Sequence, residues 1–444
     1  MKPDRRGVLA AVLVVLMLGV GALAADEPVL KKGDRLALIG DSITHQRMYS
    51  LLVNLYLTAC RPELDVTVSQ CAVYGENAGR FLRRMDSTCL GLYRPTIVTT
   101  MYGTNDSNLA GGDVRKAGEL FARNTRAYLD RFKDAGVRVV LGTPGVVRPD
   151  PNGKRPKWND DLSHMRDVLR EIAEERKLPF VDVHQAMLTA KKRMKKRTGK
   201  PYDIVGKDGL HPSWHGQTAI AVAFLRGLGL GSEPLARIEY DMAAGKGGAG
   251  EGHEIVSADV GSVTVRSSRY PFMFYWDHPG DLGEMAKIAD AMGFFDDLNR
   301  FILVVRTPEA GDYEVTWGNR KRTFSSTVLA NGVNLAREFH RTPFHGRTRA
   351  IWTRINMVYD IDSALIARVS SNGKSTRLAG MADRIRAKVV TEADGEVDVE
   401  GLIKSNPMKL RDMAQRNMKA EHQPVVHTIK VTKVADSAPA PSAR

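Results

Sequence analysis

The first half of the sequence predicts an α/β domain in which helices cover a parallel sheet. Short apolar runs alternate with longer amphipathic stretches from about residue 35 to residue 230. Most of these stretches are long enough to return the chain to a parallel neighbouring strand. The predicted strands, each an apolar run bounded by turn residues, are 35–39, 65–72, 96–101, 138–142 and 180–183. The predicted helices are 44–59, 78–85, 113–135, 160–176, 184–197 and 213–228.

The second half of the chain predicts a different architecture. A glycine-rich, charge-mixed stretch at 245–252 interrupts the α/β pattern and indicates a linker or an exposed loop. The runs that follow predict antiparallel strands at 262–265, 301–305 and 313–317, with a turn at 317–319. Helices are predicted at 347–366 and 406–421, and a final strand at 425–431 is expected to rejoin the β-rich part.

The N-terminus predicts export. A short cationic stretch precedes the apolar run from Gly7 to Ala24, which ends in the small-residue pattern Ala22-Leu23-Ala24. This is typical of a secretory signal peptide cut before Ala25, although an uncleaved membrane anchor is the alternative interpretation. The expected location is secreted or periplasmic, with no stable membrane insertion after processing. The predicted organisation is a signal peptide at 1–24, the α/β domain at 25–235, the linker or loop at 236–253, a β-rich region at 254–345, a mostly helical region with a final strand at 346–434, and a disordered tail at 435–444.

The composition is that of a globular protein with a basic surface. The 444 residues are 43% hydrophobic and 26% charged, and the formal net charge is +14. Such a charge can favour acidic polymers or anionic surfaces, and its densest part is the run 191–197. That run is interpreted as a solvated helix face or a binding patch. Because export separates the chain from nucleic acids, no nucleic-acid partner is expected, and the oligomeric state is not predicted.

The cysteine count argues against a disulfide framework. The chain has three cysteines, Cys60, Cys71 and Cys89, so at least one thiol stays unpaired within a monomer. Export would permit one disulfide, but the sequence does not select its partners. All three lie in apolar or element-terminal surroundings, which indicates buried structural thiols without a catalytic role.

Three separated segments supply the groups that nucleophilic acyl transfer requires. Ser42 follows the first predicted strand within Gly-Asp-Ser, and His211 and Asp208 lie together in Asp-Gly-Leu-His. A serine becomes a nucleophile when a histidine takes its proton and a carboxylate orients that histidine. A capping turn at Ser42 is the simpler interpretation of that segment alone. The ordered set predicts a catalytic triad of Ser42, Asp208 and His211.

Hydrogen-bond donors for an oxyanion are predicted near the same sheet edge. The backbone N–H of Ser42 begins a helix, and Asn105 follows the third strand within Gly-Thr-Asn-Asp. Gly75 follows the second strand, where glycine would let the backbone approach a ligand closely. A turn glycine and a loop asparagine that bonds its own backbone are the alternatives. Asp106 is expected to hold the Asn105 loop in shape.

No metal or cofactor is predicted. His211 and His215 stand four residues apart, as zinc-binding pairs on a helix do. Pro212 and Ser213, however, replace the glutamate-containing pair of the His-Glu-x-x-His motif. No cysteine cluster is nearby either, so a metal site is not expected.

The four motifs, with Ser42, Gly75, Asn105 and His211 in this order, resemble those of the SGNH hydrolase superfamily, also called GDSL-like esterases and lipases. The resemblance covers about residues 34–230, although 75–79 departs from the commoner Gly-x-x-Gly form. It implies a three-layer α/β/α flavodoxin-like domain, an acyl-serine intermediate and no cofactor. It also implies an oxyanion hole made of the Ser42 and Gly75 N–H groups and the Asn105 side chain.

These observations together predict an exported serine esterase. The preferred substrate is a small-molecule or polysaccharide ester, a carbohydrate O-acetyl ester above all, because no extended apolar stretch is present to line a long acyl groove. A lipase or lysophospholipase and a non-catalytic glycan-binding module are the alternatives. Trp158 and Trp214 flank the predicted site and are expected to bind substrate. The aromatic cluster Phe272, Phe274, Tyr275 and Trp276 indicates either core or a sugar-stacking surface.

Overall fold

The structure, a computed structural model, describes residues 29–150, 152–274, 281–391 and 394–435. The predicted signal peptide lies outside these ranges, as do Tyr275 and Trp276 and the tail from residue 436. Among the described residues, no helix combines the length and the apolar character needed to cross a membrane.

Five parallel strands form the central sheet of the first half. They are β1 (Arg35–Gly40), β2 (Thr67–Ala72), β3 (Ile97–Met101), β4 (Arg138–Gly142) and β5 (Phe180–Val181). Their order is β2-β1-β3-β4-β5, and every neighbouring pair is parallel. This is the doubly wound order of flavodoxin-like folds. The predicted parallel sheet is therefore confirmed.

Helices cover both faces of this sheet. They are α1 (Ser42–His45), α2 (Met48–Leu55), α3 (Ala78–Arg84), α4 (Val114–Asp134), α5 (Trp158–Arg176), α6 (Val183–Thr198) and α7 (Trp214–Gly227). Alternate residues of β1 face opposite sides, as the pleat requires. Leu36 and Leu38 share a core with α2, α6 and α7, whereas Ala37 and Ile39 share a second core with α3, α4 and α5. The expected three-layer α/β/α arrangement is thereby confirmed.

The first predicted helix, at 44–59, is interrupted in the structure. Helix α1 ends at His45, Arg47 has φ +71°, and α2 begins at Met48. A π-helical turn at Tyr56–Cys60 then completes the segment. The Arg47 guanidinium pairs with Asp360 and donates to Ser363 Oγ at 3.0 Å, so the break is stabilised by contacts with the distant C-terminal half.

Two sheets build the β-rich second half. Its strands are β6 (Ala236–Asp241), β7 (Lys246–Ala249), β8 (His253–Ala258), β9 (Ser262–Ser267), β10 (Phe301–Arg306), β11 (Asp312–Trp317), β12 (Arg320–Ser325), β13 (Val333–Asn334) and β14 (Val425–Lys433). The sheet orders are β13-β10-β6-β7 and β12-β11-β14-β9-β8. Strand β14 lies antiparallel between β9 and β11, which confirms that it rejoins the β-rich part. Strand β10 differs from the antiparallel expectation, because it pairs in parallel with β6.

The glycine-rich stretch within 236–253, expected to be a linker or loop, forms ordered sheet instead. Strands β6 and β7 lie there and pair in antiparallel register. A Cβ at Gly247 would lie 3.1 Å from Val263 and 3.2 Å from Ile255. Glycine at this position therefore permits two sheets to approach closely, which composition alone does not distinguish from flexibility.

The helices of the second half attach it to the α/β domain. They are α8 (Asp281–Ala291), α9 (Ser326–Asn331), α10 (Leu335–Glu338), α11 (His345–Ser370), α12 (Ala382–Lys388), α13 (Val399–Ser405) and α14 (Pro407–Ala420). Two arginines of the basic run on α6 contribute to this attachment. Arg193 donates to Ala291 O at 2.9 Å, and Arg197 pairs with Asp290 at 2.7 Å. The core is continuous across the two halves: Phe272 and Phe274 are buried in it.

Helices α11 and α14 cover the edge strand β2. The backbone N–H of Gln70 donates to the buried Asp362 carboxylate at 2.9 Å. Arg411 donates to the same carboxylate at 3.1 Å and to Val68 O at 2.9 Å. An ion pair from the C-terminal half therefore satisfies backbone groups that an open sheet edge would leave unpaired.

Candidate active site

Ser42 lies at the carboxyl end of β1, where the strand turns directly into α1. A Cβ at Gly40 would fall 2.1 Å from Thr44 Oγ1 and 3.0 Å from Met101 O, so only glycine permits this tight passage. The Asp41 carboxylate caps the helix by accepting from Ile43 N at 2.9 Å. The turn leaves Ser42 half-buried with its hydroxyl facing His211.

The structure brings Ser42, His211 and Asp208 into one hydrogen-bonded chain. Ser42 Oγ lies 2.8 Å from His211 Nε2, and His211 Nδ1 lies 2.6 Å from Asp208 Oδ2. Because a carboxylate only accepts, Nδ1 carries the proton and Nε2 is left to accept the hydroxyl proton. This is the tautomer that a general base for the serine requires.

The Asp208 carboxylate is held by its own loop. Oδ1 accepts from the backbone N–H groups of Leu210 and His211, both at 3.0 Å. Burial raises the pKa of Asp208, but the hydrogen bonds from His211 and the two N–H groups outweigh it, so the net pKa lies below the ordinary value. Asp208 is therefore ionised in neutral solution and can stabilise an imidazolium at His211.

The three groups that the sequence predicts as oxyanion donors follow the carboxyl ends of β1, β2 and β3. The N–H groups of Ser42 and Gly75 have no acceptor within the described parts of the chain. Gly75 occupies the exposed turn after β2 with φ +65°, a conformation that favours glycine. Asn105 follows β3, and its Nδ2 donates to Glu76 O at 2.8 Å and more weakly to Asp41 Oδ2 at 3.4 Å. The Asn105 amide is thus held mainly by Glu76 O, with the longer contact to Asp41 as its second partner.

Three buried carboxylates support these donors, and two of them are protonated more readily than usual. Asp106 accepts from Gly103 N at 3.1 Å and Ala78 N at 3.0 Å, so it joins the β3 loop to α3 as expected. Burial raises the pKa of Asp106 and of Asp41 to about 7, and their mutual repulsion adds to the effect at Asp41. The third carboxylate is Glu76, which the sequence analysis did not identify.

The Glu76 carboxylate pairs with Arg84 and accepts from Tyr102 OH at 2.7 Å. Its carbonyl meanwhile holds Asn105, so the buried pair fixes the donor indirectly. The signal that could have found it is a glutamate eight residues before an arginine in a segment that follows an apolar strand.

The two tryptophans have different environments. Trp158 lines a cleft of about 520 Å³ that also contains Asp208 and Gly209, and its Nε1–H donates to Ser107 Oγ at 3.1 Å. Trp214 does not line this cleft; its ring packs 6.0 Å from that of Trp352 in α11. The structure therefore brings Trp158, but not Trp214, to the cleft beside the triad.

The remaining candidates lie apart from this arrangement. The His215 ring packs 5.6 Å from Tyr202 rather than beside His211. Within the described ranges, no group of three or more His, Cys, Asp or Glu residues could hold a metal ion. Cys60, Cys71 and Cys89 are buried and free.

Comparison with known proteins relates part of the chain to a known family. Residues 38–219 match the model of the GDSL-like Lipase/Acylhydrolase family. No curated protein matches the chain. Among solved structures, the chain is similar to a gut microbial diltiazem-metabolizing enzyme, with 20% identity, a TM-score of 0.70, and coverage of 91% of this chain and 98% of that chain. At this identity the likeness shows a shared fold, which extends through both halves of the chain.

Two further structures are similar to the first half alone. One is an acetylxylan esterase from Geobacillus stearothermophilus, with 23% identity over 45% of this chain and 96% of that chain and a TM-score of 0.37. The other is an alpha/beta hydrolase enzyme from the metagenome of Lake Arreo, with 23% identity over 46% of this chain and 98% of that chain and a TM-score of 0.38. The family match confirms the predicted SGNH resemblance for residues 38–219, and a match to this family supports a serine hydrolase that acts on carboxylic ester bonds.

Proposed function

We propose that this chain is an exported carbohydrate O-acetyl esterase in which Ser42 is the nucleophile, His211 the general base and Asp208 the residue that orients His211. The observation that carries the proposal is the unbroken hydrogen-bonded chain from the Ser42 hydroxyl through the imidazole to the Asp208 carboxylate. A non-catalytic glycan-binding module would not need such a series of hydrogen bonds. Export rests on the signal peptide that the sequence predicts.

In the first half-reaction, His211 Nε2 removes the proton from Ser42 Oγ as this oxygen attacks the ester carbonyl carbon. The carbonyl electron pair moves onto oxygen, and the resulting oxyanion accepts from the N–H groups of Ser42 and Gly75 and from the Asn105 amide. The imidazolium then protonates the departing alcohol oxygen, and acetyl-Ser42 remains. Asp208 keeps its negative charge and stabilises the imidazolium throughout.

In the second half-reaction, water replaces the alcohol. His211 Nε2 takes a proton from the water as its oxygen attacks the carbonyl carbon of acetyl-Ser42. The same donors hold the second oxyanion. Its collapse breaks the bond to Ser42 Oγ, which recovers its proton from the imidazolium, and acetate leaves.

The cleft beside the triad supports a polar alcohol as the other half of the ester. Besides Trp158 and Pro149, its lining is charged or glycine: Arg148, Asp150, Lys154, Arg155, Asp208 and Gly209. Such a wall suits hydroxyl groups that accept and donate hydrogen bonds, with Trp158 as the surface on which a sugar ring stacks. A long acyl chain would lie beside several charged side chains there, so a lipase or lysophospholipase is the weaker alternative.

The test compares acyl chain length and acetylated sugars. We expect the mature chain to hydrolyse p-nitrophenyl acetate faster than the butyrate and octanoate esters, and to release acetate from acetylated oligosaccharides. Preference for octanoate would support the lipase alternative, and no release from acetylated sugars would contradict the carbohydrate substrate.

Matched variants test the assigned residues. Ser42→Ala and His211→Ala should each lower kcat by about four to six powers of ten. His215→Ala is the control, because this histidine lies in the first turn of α7, four residues after His211, and its ring packs against Tyr202. Unchanged hydrolysis by Ser42→Ala would contradict the mechanism.

A further inference from the structure

The side chain of Arg148 makes several hydrogen bonds to the loop that carries Asp208 and His211. Arg148 lies in the segment after β4, between the sheet and α5. Its Nε and Nη2 both bind Asp203 Oδ2, at 2.9 and 2.8 Å. Its guanidinium also donates to three carbonyl oxygens of the same loop, those of Val205 at 3.3 Å, Gly206 at 2.8 Å and Lys207 at 3.4 Å.

The backbone of Arg148 adds a further link. Its N–H donates to Gly209 O at 2.8 Å, directly between the two catalytic residues of the loop. Gly209 has φ +73°, and a Cβ there would lie 3.7 Å from the Cβ of Arg148. Arg148 therefore contacts the loop before Asp208 through its side chain and after Asp208 through its main chain.

The loop's own hydrogen bonds do not replace these links. Gly206 N donates to His211 O at 2.6 Å, and Ser213 N donates to Ile204 O at 2.9 Å. Both bonds join the two sides of the loop to each other and so preserve its shape. They do not fix the position of the whole loop relative to Ser42, which follows β1. That position depends on contacts between the loop and the rest of the domain.

We propose that Arg148 is a positioning residue that holds the Asp208–His211 loop at hydrogen-bonding distance from Ser42. Its planar, forked guanidinium can bind a carboxylate and several carbonyl groups at once, whereas an ammonium group cannot. The role rests on the proposed function only for its kinetic consequence, because the placement of the imidazole can be observed without substrate. A displacement of about 1 Å between Nε2 and Oγ is enough to cost about a hundredfold in rate.

The kinetic test separates positioning from substrate contact, since Arg148 also lines the cleft. Arg148→Ala should lower kcat by about 10- to 100-fold and leave KM close to the wild-type value. Arg148→Lys should recover part of kcat, and it also serves as the test variant if Arg148→Ala does not fold. A loss confined to KM would overturn the proposal, because it would make Arg148 a substrate ligand.

The second test needs no substrate. The proton on His211 Nδ1, held in the 2.6 Å bond to Asp208, should give a far-downfield proton resonance in the wild type. In Arg148→Ala we expect this resonance to broaden or disappear through faster exchange with water. Arg126→Ala is the control, because it removes an exposed arginine whose partner Glu175 lies on α5.

The outcomes distinguish the two proposals. A wild-type kcat together with a sharp resonance in Arg148→Ala would overturn the positioning role. If the wild type hydrolysed no acetyl ester but the variant still lost the resonance, the proposed function would fail and the role of Arg148 would stand.

Discussion

The indole N–H of Trp317 donates to Nδ1 of His427 at 3.0 Å, and this contact fixes the tautomer of the histidine. Because Nδ1 accepts, the proton lies on Nε2, which donates to Ser267 Oγ at 2.9 Å. Likewise His253 Nε2 must donate to Leu235 O at 2.8 Å, so its Nδ1 accepts the Ser267 hydroxyl proton at 2.8 Å. The buried chain is complete only while both histidines are neutral.

We therefore expect the C-terminal half to lose stability in acid. Burial, with a smaller contribution from the nearby His253, lowers the pKa of His427 to about 3. In the unfolded chain the pKa returns to about 6.5, so the stabilisation is full above that pH and is lost as the pH falls toward 3. His427 alone should therefore lower the free energy of unfolding by about 2 kcal/mol between pH 7 and pH 5.

Denaturant unfolding of the wild type and of His427→Gln at these two pH values checks this expectation. The variant should be less stable at pH 7, and on going from pH 7 to pH 5 it should lose about 2 kcal/mol less stability than the wild type. An equal difference in both proteins would mean that His427 does not titrate as the buried chain requires.

Removal of the Asn105 amide should slow the reaction more than it weakens the fold. This amide donates to Glu76 O at 2.8 Å and over a longer distance, 3.4 Å, to Asp41 Oδ2, and in the proposed mechanism it also donates to the oxyanion. Asn105→Ala should lower kcat by about two to three powers of ten, the usual cost of losing one such donor. Asn108→Ala, which removes an exposed amide three residues later, is the control in steady-state kinetics and should leave kcat unchanged. A loss of equal size in the control would assign the effect to the loop as a whole.

The triad geometry was predictable because its signals are local. Asp208 and His211 stand three residues apart in one loop, and Ser42 follows an apolar strand. The rule that active sites of parallel sheets lie at the carboxyl ends of the strands then places both at one edge. The periodicity of apolar residues likewise predicted the strands and helices of the α/β domain, because the pattern of each element is visible within its own consecutive residues.

Long-range pairs left no such signal. The break at Arg47 depends on Asp360 and Ser363, and the burial of the β2 edge depends on helices that come much later in the chain. Trp214 was assigned to substrate because of its sequence position, whereas its partner Trp352 is known only from the fold. Contacts of this kind follow from tertiary packing, which single-sequence patterns do not record.

Asp41 should destabilise the fold at high pH, opposite in sign to the histidine pair. Burial, together with repulsion from Asp106 and Glu76, raises the pKa of Asp41 to about 7. A carboxyl group with a raised pKa costs nothing below its unfolded value, near 4, and costs progressively more as the pH rises through 7. Between pH 5 and pH 8 the cost amounts to about 2–3 kcal/mol.

Asp41→Asn tests this, since the amide oxygen can still accept from Ile43 N. We expect the gain in stability of the variant over the wild type to be about 2–3 kcal/mol larger at pH 8 than at pH 5, as measured by thermal or denaturant unfolding. The comparison with the wild type is essential, because the histidine and aspartate effects oppose each other between pH 5 and pH 7. A gain that did not depend on pH would show that the substitution acts through packing instead of charge.

The buried ion pair of Asp362 and Arg411 should stabilise the edge of the sheet at β2. Both side chains are almost fully inaccessible, and Asp362 also accepts from Gln70 N of β2. Arg411→Met would leave the carboxylate buried without its cation, which typically costs about 3–5 kcal/mol. An exposed pair such as Arg126 and Glu175 should cost at most about 1 kcal/mol when Arg126→Ala breaks it.

A double variant separates charge from packing. Asp362→Asn combined with Arg411→Met removes both charges and keeps an acceptor for Gln70 N, so it should be more stable than Arg411→Met alone. Denaturant unfolding of the three proteins measures the difference. If the double variant were instead the least stable, the two substitutions would add as independent losses of packing, and the edge of β2 would be held by the shapes of α11 and α14 and not by the ion pair between them.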